Sequence, residues 1–151
     1  MRDNTIKPEQ FRRKDRNRKG YHFISDERFI SLTIGIRKQG AVIHRGGEEV
    51  EEYLDRRRAD ALTIGKDLFF RQQVTISEVV EEVYHYYQNQ IGLNSDKEAN
   101  LMMILNEIDA KQFIIDNAKV LSIPRKEVDE TKQQLEVYKI KLKKWEDEHN
   151  V

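Results

Sequence analysis

Apolar residues recur near the C-terminus at alternating intervals of three and four: Val128, Thr131, Leu135, Tyr138, Leu142 and Trp145. That spacing stacks six side chains on one face of an α-helix, and Pro124 just before them suits a first helical turn. Such a helix would be roughly 37 Å long, burying its stripe against the domain and projecting beyond it. Another helix is signed at its start by Thr75 and Glu78, spaced as a capping box, with Val74 and Val79 placed as a hydrophobic staple. It should run from residue 75 to about 90, ending before Gly92, and a further helix should span residues 96 to about 120. Between residues 25 and 40, Phe29, Leu32, Ile36 and Gln39 suit a helix stopped by glycine, while Ile30, Thr33 and Ile34 keep a strand open.

The remaining pattern predicts a small sheet. Residues 41–44 read as a short strand, after which Gly46 and Gly47 turn the chain into an acidic helix over 48 to about 57. Residues 62–64 and 68–71 read as two strands joined at Gly65, Lys66 and Asp67 as a hairpin. The expected fold class is therefore α+β: a small β-sheet or hairpin packed with helices, one of them long and C-terminal. No internal repeat is visible.

Composition narrows the function classes. At 151 residues, with 38% hydrophobic and 36% charged side chains, the chain suits one domain over residues 20–151 preceded by a loose end. That end, residues 1–19, holds eight Lys or Arg against three Asp or Glu and is expected to be a flexible, solvated basic arm. The 27 basic and 27 acidic residues cancel, so no global field favours nucleic acid or an anionic membrane, and neither is an expected partner. Without cysteine there are no disulfides or thiolate ligands, so any metal must be held by His and carboxylate. There is no membrane-length apolar run and no signal-peptide core; the chain reads as soluble, either cytoplasmic or delivered within a secreted toxin.

Candidate chemistry sits on the capped helix. At 100° per residue, Ile76, Val79, Val80, Val83, Tyr84 and Tyr87 share an apolar arc, while Glu78, Glu81, Glu82, His85 and Gln88 share the other side. Glu81 and His85, one turn apart, can bind one ion, with Glu82 beside them; the plain alternative is a solvated polar face. On the next helix, Glu107 falls among Met103, Ile104, Ala110, Ile114 and Ala118. A carboxylate in an apolar setting needs a partner, which is either an ion shared with His85 or Lys111 one turn away. Arg45 and Arg71 are expected to neutralise the acidic site. Tyr84, Tyr86 and His44 are the nearby groups able to donate to an oxyanion, and none is assigned that role.

The run from Ala61 through Arg71, then Val79-Val80-Glu81-Glu82-Val83-Tyr84-His85, then Asn106-Glu107-Ile108-Asp109-Ala110-Lys111, resembles the zincin-like metallopeptidase domains of bacterial polymorphic toxins and of phage and mobile-element proteins. The likeness spans residues 41 to 145 and implies a gluzincin-type pair of active-site helices. It implies Glu82 as the catalytic base, Glu81, His85 and Glu107 as metal ligands, and the strand near residues 68–71 as the edge that takes an extended peptide. Glu81 stands where the family usually has histidine, giving a harder and more negative donor set for zinc, or for manganese. The implied partners are a protein or peptide substrate and an immunity protein. The second reading, motivated by position 81, is a catalytically inert scaffold of the same shape that acts as a protein-interaction module.

Overall fold

The structure, a computed structural model, describes residues 20–151, so the basic arm expected over residues 1–19 lies outside the described residues. The fold class is the expected one, α+β. In order come α1 (Asp26–Lys38), β1 (Val42–Arg45), α2 (Glu48–Arg57), β2 (Ala61–Ile64), β3 (Asp67–Phe70), α3 (Ile76–Ile91), α4 (Ala99–Asn117) and α5 (Arg125–Glu148). The chain divides into two compact units, the first ending at Tyr86 and the second running from Tyr87 to Val151, so α3 contributes to both. No helix among the described residues is long and apolar enough to cross a membrane.

In the first unit the segment left open between helix and strand is helical. Ser25 caps α1 by accepting from the Arg28 amide at 3.1 Å, and Asp26 and Glu27 then complement the helix dipole. Local capping and the four-then-three spacing of buried Phe29, Thr33 and Ile36 outweigh the β-branched residues, and the Thr33 hydroxyl is satisfied by the Phe29 carbonyl at 2.9 Å.

The sheet has the order β1-β3-β2, with β1 parallel and β2 antiparallel to β3. The hairpin turns at Gly65 and Lys66, where Gly65 has φ +61°. This topology corrects one expectation. β3 is the central strand, hydrogen-bonded on both sides, and has no edge for a substrate peptide; the outer strands are β1 and β2.

Alternation along β3 divides the unit's packing. Leu68 and Phe70 are fully buried with Phe29, Ile36, Val74, Val79 and Tyr86, and Phe29 meets Phe70 edge-to-face at 5.1 Å. Phe69 faces the other way, stacked on His44 at 4.5 Å and touched by Tyr53 of α2. Gly46, at φ +69°, leads into α2 where a Cβ would run into the Gln72 side chain.

The capping box of α3 forms as expected. The Thr75 amide donates to Glu78 Oε1 at 3.0 Å and the Glu78 amide to Thr75 Oγ1 at 3.3 Å, while Val74 and Val79 are both buried. Thr75→Ala should therefore lower unfolding stability by about 1 kcal/mol. Urea denaturation measures this, and an unchanged midpoint would show that Glu78 alone suffices.

The second unit is built on an antiparallel α4–α5 pair. Trp145, late in α5, donates to Glu98 Oε1 at the start of α4 at 3.2 Å, and Lys111 Nζ lies 5.5 Å from the Tyr138 ring centroid in the middle. The expected stripe faces inward: Thr131 and Leu135 are buried, and Val128, Tyr138, Leu142 and Trp145 are half-buried. Ile140 and Val137 face solvent. Met103, read from the sequence as part of the apolar side of α4, is exposed.

Glu98 caps α4 by accepting from the Asn100 amide at 2.6 Å. That backbone hydrogen bond, above the Trp145 contact, holds its carboxyl below the ordinary value of 4.5. A carboxyl whose folded pKa is depressed stabilises the fold fully above the unfolded value and loses that contribution as pH falls through the folded one. Acidification below pH 4.5 should accordingly loosen the start of α4 and change the emission of Trp145, the sole tryptophan. The comparison is with Glu98→Ala, in which this acid change should be missing; its persistence there would assign the change elsewhere.

Candidate metal centre

Helix α3 carries the candidate site. Its apolar side, Val79, Val80 and Tyr86, is buried, which fixes the rotation of the helix about its axis. The arc departs from the expected one at its end: Tyr86 is in the core, its hydroxyl donating to the Gln39 carbonyl at 3.3 Å, while Tyr87 is exposed. The polar side is not a solvated face. Glu82 is 7% exposed and Gln88 2%, so α3 buries polar groups as well as apolar ones.

Glu81, Glu82 and His85 converge. Each offers one donor atom, a carboxylate oxygen or an imidazole nitrogen, and these atoms all lie within 4.8 Å of one another. His85 Nε2 stands 3.6 Å from Glu81 Oε2, the one-turn relation expected from their spacing, with both side chains mostly covered. Glu82 reaches the group from beside them, and its Oε1 accepts from Thr63 Oγ1 of β2 at 2.9 Å. Thr63 escaped the sequence reading, since nothing in strand alternation tells which residue nineteen positions away meets its hydroxyl.

The donor set suits a divalent cation. Two carboxylates within 4.8 Å of each other repel when both are ionised, and one imidazole, which is neutral when it ligates a metal, does not offset them. A cation with oxygen and nitrogen preferences could be held by such a set, and zinc and manganese have those preferences.

The other residues singled out from the sequence lie in different settings. Glu107 stands on α4 in the second unit and accepts from Lys111 Nζ at 2.9 Å, so the lysine alternative is the contact present, with Lys111 only 4% exposed. Arg71 does not serve the acidic group: Nη1 donates to Glu51 and Nη2 to Asp55 and the Ala59 carbonyl, all on or after α2. Arg45 donates to Asp26 Oδ1 at 3.0 Å and to the Gln72 carbonyl at 2.7 Å. These two corrections share a reason. A buried guanidinium is settled by the carboxylates and carbonyls that tertiary packing brings to it, and those came from α1, α2 and the loop after β3. His44 pairs with Asp67 at 3.0 Å, and the Tyr86 hydroxyl is taken by Gln39. No family model, curated protein or solved structure matches this chain.

Proposed function

We propose that the first unit carries a divalent-metal site on α3 and that the protein is a zincin-like metal-dependent peptidase, an effector of the polymorphic-toxin or mobile-element kind. One observation carries the reading: Glu81, Glu82 and His85 bring three donor atoms within 4.8 Å of one another, with Glu82 buried. Glu81 and His85 would hold the ion, zinc or manganese. A divalent ion at such a site supplies Lewis acidity to a scissile carbonyl and to water.

The chain's own residues supply the remainder. Glu82 takes the proton from the attacking water and delivers it to the leaving amine, a relay for which a carboxylate shielded from bulk water is suited. Glu81, one turn from His85, sets its carboxylate beside the imidazole so that both could reach one ion. Because β3 is enclosed, an extended peptide would pair with an outer strand, and β2 is the outer strand whose Thr63 touches Glu82. The substrate class in this reading is protein or peptide, and an immunity protein is the natural second partner of such an effector.

The test is metal content. Purified protein equilibrated with zinc or manganese and then dialysed should retain about one ion per chain, as expected for one compact donor set. Retention of none overturns the reading. With metal bound, Glu82→Gln should keep the ion and abolish cleavage of an unfolded protein substrate. Full biological effect in that variant would instead favour the inert interaction module, which the replacement of the family's histidine by Glu81 motivates.

A further inference from the structure

We propose that Thr63 is a positioning residue for Glu82: its hydroxyl, presented by the outer strand β2, sets the direction in which the buried carboxylate faces the Glu81–His85 pair. This rests on the metal-site reading above. Thr63 Oγ1 lies 2.9 Å from Glu82 Oε1 and 3.1 Å from the Glu82 carbonyl oxygen. A hydroxyl has one proton to give. A mid-helix carbonyl is already the acceptor of its own helical ladder, so the hydroxyl donates chiefly to Oε1, the nearer oxygen.

The consequence for the site is directional. A glutamate side chain has three rotatable bonds, and burial at 7% exposure limits where they can go without choosing among the remaining rotamers. Donation from a strand makes that choice, because Thr63 is fixed by β2's pairing with β3, Thr63 opposite Leu68. Oε1 is thereby tied to the strand, which fixes how the carboxylate stands beside Glu81 and His85. A plain strand threonine, favoured there by its branched side chain, would need no such partner. The two explanations differ in whether removing the hydroxyl is felt by a bound ion.

The experiment measures zinc affinity of the full chain by calorimetric titration with the metal alone, in a double-mutant cycle. Thr63→Val, which keeps the shape and removes the donor, should weaken zinc binding roughly tenfold, the scale of an outer hydrogen-bond partner of a metal site. Thr63→Ser should recover affinity to within about twofold of wild type, and Thr63→Val should lose little in a Glu82→Ala background, where no side-chain acceptor remains for the hydroxyl. Unchanged affinity in Thr63→Val, an equal loss in both backgrounds, or no recovery in Thr63→Ser overturns the proposal while leaving the metal site standing. Failure of the wild-type protein to bind zinc or manganese overturns the site and this inference together. A purely structural threonine would lower the unfolding midpoint without producing the cycle.

Discussion

Replacing Arg71 by methionine is expected to destabilise the first unit by about 3–5 kcal/mol, the cost of breaking a buried ion pair from one side. Arg71 is 4% exposed and Asp55, which its guanidinium reaches at 2.9 Å, is equally covered. Its other nitrogen donates to Glu51 Oε1 at 2.9 Å, and Glu51 Oε2 in turn accepts from the Gln72 amide at 2.9 Å. Arg71 thus ties α2 to the end of β3 through a planar fork that methionine fills without replacing a single donor. The damage comes chiefly from taking the guanidinium away from the buried Asp55 carboxylate, so Asp55→Leu added to Arg71→Met should restore part of the loss. Urea unfolding measures both. If Arg71→Met lost less than about 1 kcal/mol, the cluster would be behaving as an exposed bridge and its burial would carry no energetic weight.

The second large effect falls on the metal. His85→Ala should weaken zinc binding by at least about 100-fold, since loss of an outer partner alone costs roughly 10–100-fold and this variant removes the only nitrogen donor of the group. Its fold should survive, because the His85 side chain is not part of the apolar core built from Phe29, Ile36, Leu68, Phe70, Val74, Val79 and Tyr86. Wild-type affinity in His85→Ala would place the ion elsewhere. Glu107→Ala is the companion variant, separating the two partners that the sequence offers this carboxylate. Unchanged zinc affinity leaves it to Lys111, its contact at 2.9 Å, whereas a loss comparable to that of His85→Ala assigns it to the ion.

Features governed by neighbours in the chain were legible from residue order. The capping box at Thr75 and Glu78, the one-turn relation of Glu81 to His85, the hairpin at Gly65 and the inward stripe from Val128 to Trp145 all follow from helical or strand periodicity over a few residues. Such periodicity says which side chains share a face and is silent on what the face meets. Folding alone enclosed β3 between two strands, rotated Tyr86 rather than Tyr87 into the core, gave Arg71 to α2 and brought the Thr63 hydroxyl to Glu82. Each of those depends on groups distant in sequence, where close packing and the need to satisfy buried charge choose the partner.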